Sequence, residues 1–181
     1  DWPLTKQGQQ QLAQYDERDN PGYNCVERGL PFYSLYPYFL LWTRYEDRIE
    51  IISQQSTLVR TLHLNQETFP NDIVPSPEGY SIARFDDGSL LVETSEFSAA
   101  RWGLAPGVDS SEQKHIEERF TLSADGLTLN YSISLEDPVY LTEPVIINGK
   151  DNKVADVPFE PYVCDLDSAQ KILSLPESAQ Q

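Results

Sequence analysis

One carboxylate with clear chemical potential stands in an otherwise apolar row. Residues 115–122 alternate in polarity, and Ile116 and Phe120 share a strand face with Glu118. A carboxylate that faces a core must be paired or protonated, because burying it unpaired is costly. Glu118 is therefore the leading candidate for a functional interior group, with Arg84 as its expected counter-ion. The simpler interpretation is a structural ion pair or a position at the rim.

His63 is a second candidate, and its role depends on which way its strand faces. Alternation places His63 with Val59 and Thr61 on one face, and Arg60 on the other. If the Val59 face points inward, His63 lines the interior, where it could contact a ligand or transfer a proton. The simpler interpretation is a histidine at the edge of the core with one hydrogen bond.

These residues allow an enzyme hypothesis, but no catalytic motif supports it. Acid–base catalysis by Glu118, His63 and Arg84 requires all three within hydrogen-bond reach of one reactant. The chain contains no GxGxxG, GxxxxGK[ST], GxSxG or HExxH sequence, and His115-Ile-Glu-Glu lacks the second histidine of a zinc motif. We therefore expect no cofactor and no metal site, and the sequence leans away from an enzyme.

Two Asp-Gly turns position these residues in β-hairpins. Each turn separates two stretches of alternating side chains, which is a strong hairpin signal because glycine accepts the positive φ of tight turns. The turns are Asp86-Asp87-Gly88 and Ala124-Asp125-Gly126. They predict strands near residues 79–85, 89–95, 114–122 and 127–134.

The remaining strands complete a prediction of a mostly β fold. Similar patterns predict strands at 38–45, 48–53, 57–64 and 139–148, a helix at 5–15, and loops at 65–78 and 97–113. Eight sequential antiparallel strands favour an up-and-down β-barrel of the lipocalin type with a short N-terminal helix. A β-sandwich is the alternative.

The chain is predicted to be one domain with three parts. Residues 1–35 form a helix and an irregular lead-in, residues 36–150 the β-barrel, and residues 151–181 a C-terminal extension. That extension should contain a weak helix near 168–173 and a frayed end from Pro176 to Gln181.

Composition limits the partners. The net charge of -16 argues against nucleic acid, and no apolar run is long enough for a membrane-spanning segment. The chain contains no Met, which suggests a processed or trimmed start, and a removed signal peptide is one explanation. The oligomeric state is not predictable.

Cys25 and Cys164 are the only cysteines. They could form a disulfide that closes most of the chain, which suits an oxidising compartment. They could instead be two buried thiols that pack as small hydrophobic groups. The first interpretation is favoured.

Seven short segments follow one another along the chain: Asp1-Trp-Pro-Leu-Thr, Asp19-Asn-Pro, Val59-Arg-Thr-Leu-His-Leu, Gly79-Tyr-Ser-Ile-Ala-Arg, Leu90-Leu-Val-Glu-Thr, Glu118-Arg-Phe and Tyr162-Val-Cys. As a set, they resemble a family of exported proteins of Gram-negative bacteria that are known mainly as hypothetical proteins. The resemblance implies a periplasmic or otherwise exported location and supports the Cys25–Cys164 disulfide. It implies no activity and no catalytic residues.

The leading hypothesis for function is a binding module that holds a small apolar or amphipathic ligand in the barrel. It depends on aromatic residues near the first strand, with Trp42 as the ligand contact; the others are Phe32, Tyr33, Tyr36, Tyr38 and Phe39. His63, Arg84 and Glu118 are the remaining candidates for ligand contact. The alternatives are the acid–base enzyme and an oligomerising interaction protein of the cell envelope.

Overall fold

Ten strands provide most of the regular structure. The computed structural model describes residues 2–35, 38–155, 157–160 and 162–174. The helices are α1 (Lys6–Ala13), α2 (Leu166–Gln170) and four short 3-10 helices. The strands are β1 (Leu40–Arg44), β2 (Arg48–Ser53), β3 (Val59–His63), β4 (Tyr80–Asp86), β5 (Ser89–Ser95), β6 (Ala100–Ala105), β7 (Val108–Ser110), β8 (His115–Leu122), β9 (Thr128–Glu136) and β10 (Val145–Asn152).

Eight of these strands form one curled sheet in the order β1-β2-β3-β4-β5-β8-β9-β10. The curl gives a half-barrel, so the predicted mostly β, barrel-like fold with a short N-terminal helix is confirmed. Both Asp-Gly turns lie where the sequence places them, between β4 and β5 and between β8 and β9. Gly88 and Gly126 have positive φ angles of 76° and 70°, as these turns require.

One strand pair departs from the predicted antiparallel order. β3 and β4 are parallel, with Leu62 opposite Ser81 and His63 opposite Ile82. Parallel neighbours need a long connection that returns the chain to the starting end of the sheet. The proline-rich loop between these strands provides that connection. The loop itself was predicted, but the parallel direction of the two strands was not.

The prediction of a loop at residues 97–113 is wrong, because this segment contains a second, two-stranded sheet. β6 and β7 pair antiparallel around Pro106 and Gly107, and the φ of Gly107 is 80°. The pattern was missed because β6 has a register shift, and Trp102 within it has a φ of 56°. Its side chains therefore do not alternate as those of a regular strand do.

The last strand lies later than the predicted 139–148. Residues 139–142 bond to the N-terminal segment instead of to β9: Thr5 N donates to Tyr140 O, and Thr142 N donates to Pro3 O. Leu4 and Leu141 form an isolated bridge. Because these backbone groups are already occupied, pairing with β9 begins only at Val145.

Two apolar clusters fill the concave side of the sheet. One contains Leu62, Val92 and Phe120 in the middle of the sheet, together with Ile49, Ile51, Ala83 and Leu90. The other lies under the β6–β7 hairpin and the lead-in, and it contains Leu30, Phe97, Leu104, Val108, Ile116, Ile133, Leu135, Tyr140 and Leu141. The hairpin thus covers one end of the half-barrel.

A disulfide joins the irregular lead-in to the C-terminal extension. Cys25 and Cys164 form a disulfide with their Cα atoms 5.8 Å apart, and Gln170 Nε2 donates to Asn24 Oδ1 at 3.0 Å. The predicted frayed end, Pro176 to Gln181, lies outside the described residues. Among the helices of the described ranges, none has the length and apolarity needed to cross a membrane.

Candidate functional site

A buried charged cluster lies on the concave face of the sheet. Arg60 and Glu118 are 3% and 4% exposed and form a bidentate ion pair. Arg60 Nη1 donates to Glu118 Oε1 at 3.0 Å, and Nη2 donates to Glu118 Oε2. Nη2 also donates to Thr94 Oγ1 at 3.0 Å, and Nε donates to Ser81 Oγ at 3.3 Å. The two charges therefore neutralise each other, and hydroxyl groups from β4 and β5 give Arg60 further hydrogen bonds.

The partner of Glu118 is Arg60, not Arg84 as the sequence suggested. Strand β3 turns Arg60 and Leu62 inward, while Val59 is 48% exposed. The sequence contained the signal for this arrangement, because Arg60 interrupts an apolar row (Leu58, Leu62, Leu64) just as Glu118 interrupts its own. We predicted the buried carboxylate from that pattern but did not apply the same reasoning to the arginine.

Three aromatic rings line the same pocket as this ion pair. Trp42 and Phe120 pack edge to face with their ring centroids 5.2 Å apart, and Tyr131 follows at 6.5 Å from Phe120. Burial and the nearby Asp151 raise the pKa of Tyr131. Together with Leu40, Ile51 and Ile133, these three rings line what we call the aromatic pocket. The free space in it is about 20 Å³, enough for about one water molecule.

His63 lies on the opposite, outer face of the sheet. Its ring stacks on Tyr80 with centroids 4.3 Å apart and an interplanar angle of 8°. Tyr80 Oη in turn donates to Gln66 Oε1 at 2.7 Å. Burial of the ring lowers the pKa of His63, so the neutral imidazole is favoured. Side chains alternate along a strand, so the inward side chains of Arg60 and Leu62 on β3 place that of His63 on the outer face.

Arg84 also lies on the outer face, where it lines a depression of about 350 Å³. Its neighbour across the β4–β5 pair is Leu91, which is opposite Arg119 on β8. We call this depression the outer groove, and its polar side chains are those of Arg84, Glu93, Glu117, Arg119, Ser132 and Ser134.

The predicted site residues therefore separate into two groups. Trp42 and Glu118 line the same concave pocket, whereas His63 and Arg84 face outward. The acid–base trio of Glu118, His63 and Arg84 is not assembled on one face. Of the other aromatic residues, Phe32 is buried and Tyr38 and Phe39 are exposed; Tyr36 and the side chain of Tyr33 lie outside what the structure describes.

A second buried cation was not predicted. Lys114 is 1% exposed, and its Nζ donates to Leu30 O at 2.5 Å and to Ser110 Oγ at 3.2 Å. Burial lowers the pKa of Lys114 to about 8, although the charges of Glu78 and Asp137 act in the opposite direction. The short run Gln113-Lys114-His115 carries no periodic signal, so only the folded chain reveals this burial.

The described ranges contain no group of three or more His, Cys, Asp or Glu side chains that could hold a metal ion. Comparison of the chain with protein-family models, with curated proteins and with solved structures found no match. The interpretation of function therefore depends on the geometry of the chain itself.

Proposed function

We propose that this protein binds a small apolar or amphipathic ligand in the aromatic pocket, in the manner of lipocalin-type barrels. The observation that carries the proposal is the wall of three aromatic rings, Trp42, Phe120 and Tyr131, on the concave face of the half-barrel. Ligand sites in proteins are concave and mostly apolar, with a few polar groups that orient the ligand. The pocket has this composition.

The polar groups next to the pocket have different roles in this proposal. Arg60 and Glu118 neutralise each other, so they present little net charge to an apolar ligand. Tyr131, which carries a hydroxyl group, and Asp151, which carries a carboxylate, are also among the residues that line the pocket. An amphipathic ligand would place its apolar part against the rings of Phe120 and Tyr131 and its polar end toward these two groups.

Entry of a ligand requires a side chain to move, because the free space is only about 20 Å³. Trp42 is the candidate, since it is half-buried and belongs to the edge strand β1. An edge strand has one neighbour only, so its side chains are less enclosed. Rotation of the indole away from Phe120 would open the pocket.

The test uses the neutral apolar dye N-phenyl-1-naphthylamine and the indole N–H signals of Trp2, Trp42 and Trp102 in a ¹⁵N correlation spectrum. We expect saturable binding to the wild-type protein, with the Trp42 signal shifting most. Trp42→Ala should bind the dye about tenfold more tightly, because the ligand no longer displaces the ring. The matched control is Leu41→Ala, an exposed neighbour on the same strand, which should behave like wild type.

Two results would overturn the proposal. Binding by Trp42→Ala alone would mean that the substitution creates the space and that the native interior is simply a core. Equal binding by all three proteins without a shift at Trp42 would place the dye elsewhere.

A second candidate function, the interaction protein, is favoured by exposed apolar residues in β1 and just before it. Tyr38 and Phe39 directly precede β1 and Leu41 lies within it. Each is 42–43% exposed, and β1 is an edge strand of the sheet. Light scattering would support this function if it gave a dimer mass that Phe39→Ser reduced to that of a monomer. A monomer at all concentrations would contradict it.

For location, we propose export to an oxidising compartment. The Cys25–Cys164 disulfide supports this, because such bonds persist mainly in extracytoplasmic compartments. Fractionation of the native host followed by detection of the protein would test it.

A further inference from the structure

The outer groove holds two carboxylates at directly opposed positions on neighbouring strands. Glu93 on β5 is directly opposite Glu117 on β8, and like charges at opposed positions destabilise a sheet. The ring of His115 lies 3.2 Å from Glu93 Oε1, whereas Glu117 takes part in no ion pair within the described part of the chain. Of the two carboxylates, Glu117 is thus the one without a counter-ion among the described residues.

Two guanidinium groups stand in the next row of the same groove. Arg84 and Arg119 are both opposite Leu91, one on each side of β5. Within the residues that the structure describes, neither arginine forms an ion pair. The chain has 29 acidic and 13 basic residues, so carboxylates are abundant in it and positive charges are scarce.

The register separates the two signs of charge by two residues along the strands. A strand rises about 3.4 Å per residue, so the arginine row and the glutamate row are about 7 Å apart. The small side chains of Ser132 and Ser134 on β9 form the adjoining wall of the groove. Its volume of about 350 Å³ lies at the lower end of the range for small-molecule sites.

We propose that the outer groove binds a small zwitterion, with its anionic group on Arg84 and Arg119 and its cationic group on Glu93 and Glu117. Guanidinium groups recognise carboxylate and phosphate through paired N–H donors, and an ammonium group would relieve the repulsion between the two glutamates. Ligands with this chemistry include a short peptide with free termini and a phosphoethanolamine group. This site is separate from the aromatic pocket, because it lies on the other face of the sheet.

The test is calorimetric titration of the full chain with triglycine, N-acetyltriglycine, triglycine amide and phosphoethanolamine at low salt. We expect the zwitterions to bind and both blocked peptides to bind at least tenfold more weakly. Stronger binding of phosphoethanolamine than of triglycine would identify a phosphate headgroup as the preferred source of the anion. The reverse order would identify a peptide, and either order supports the zwitterion site.

Substitutions then show which side chain of the groove contacts each charged end of the ligand. Arg119→Gln should remove the difference between triglycine and triglycine amide, and Glu117→Gln should remove the difference between triglycine and N-acetyltriglycine. Arg101→Gln is the matched control, because this exposed arginine lies outside the groove and pairs with Asp19. Glu117→Gln should also raise the melting temperature slightly, since it removes the like-charge contact.

Other results would overturn the proposal. These are no heat of binding for either zwitterion at 10 mM, equal binding of the blocked and free peptides, or an effect of Arg101→Gln as large as that of Arg119→Gln. The groove would then be an ordinary solvated face of the sheet. Circular dichroism of each variant confirms folding, which we expect because all the substituted side chains lie on the surface.

Discussion

Arg60 and Glu118 meet on the concave face of the sheet although 58 positions separate them in the chain. Both are almost fully buried, and Ser81 and Thr94 also accept hydrogen bonds from the guanidinium group. Three strand pairings, β3–β4, β4–β5 and β5–β8, bring the two side chains together. The ion pair can therefore form only when these central strands are paired in this order.

Breaking this ion pair should be strongly destabilising. Glu118→Gln leaves a buried guanidinium without its counter-ion, and we expect the free energy of unfolding to fall by about 3 kcal/mol or more. Glu117→Gln is the matched control, because its side chain is on the outer face of the same strand, and it should change stability by less than about 0.5 kcal/mol. Urea denaturation measures both values.

The corresponding double substitution tests whether the pair itself is needed for stability. Arg60→Met combined with Glu118→Leu removes both charges, so it should cost less than either single substitution. A double variant that loses the sum of both single losses would mean that the two residues act independently.

Lys114 should make stability depend on alkaline pH. Its pKa in the folded protein is about 8, below its ordinary value of 10.5, so between these values the unfolded chain holds a proton that the folded chain lacks. The free energy of unfolding therefore gains a contribution that rises with pH, at up to about 1.4 kcal/mol per pH unit. Lys114→Met should show a flatter profile between pH 8 and 9.5, measured by urea denaturation.

The exposed Lys150 provides the control for this experiment, because Lys150→Met should keep the wild-type slope. The upper limit of pH 9.5 matters, since burial raises the pKa values of Tyr131 and Tyr140. A raised tyrosine pKa lowers stability as the pH rises beyond about 10, which opposes the effect of Lys114. Identical slopes for wild type and Lys114→Met would contradict the prediction.

Two glycines with similar backbone angles should respond very differently to alanine. Gly29 and Gly88 have φ angles of 67° and 76°, so both substitutions impose the same kind of backbone strain. A Cβ at Gly29 would lie 1.9 Å from the carbonyl oxygen of Pro77, whereas at Gly88 it meets nothing within 4 Å. Gly88→Ala should cost about 1 kcal/mol, and Gly29→Ala several times more, as thermal denaturation would show.

Removing the disulfide should lower stability without unfolding the sheet. Cys25 and Cys164 are 139 positions apart, and loss of a cross-link of this kind costs about 2–4 kcal/mol. The double variant Cys25→Ser/Cys164→Ser should keep its β-sheet circular dichroism spectrum and unfold at a lower urea concentration. Non-reducing mass spectrometry of the wild-type protein would check the bond itself, and two free thiols in the oxidised protein would contradict the structure.

Much of the fold could be predicted because its signals are local. The hairpins at Gly88 and Gly126 follow from glycine's conformational freedom and from alternating side chains on either side. The eight strands of the main sheet were all expected, although β10 was displaced along the chain. By contrast, the β6–β7 hairpin has an irregular register at Trp102, so it leaves no periodic pattern to detect.

By itself, the sequence indicated the eight strands of the half-barrel, the turns that join its hairpins, and the place of Glu118 in an otherwise apolar row. These depend on neighbouring residues and on the two-residue period of a strand. Only the tertiary structure decided that Arg60 neutralises Glu118, that His63 and Arg84 face outward, and that β3 and β4 run parallel. The physical reason is that a two-residue period defines two faces without saying which is buried, and that choice is made by packing between distant strands.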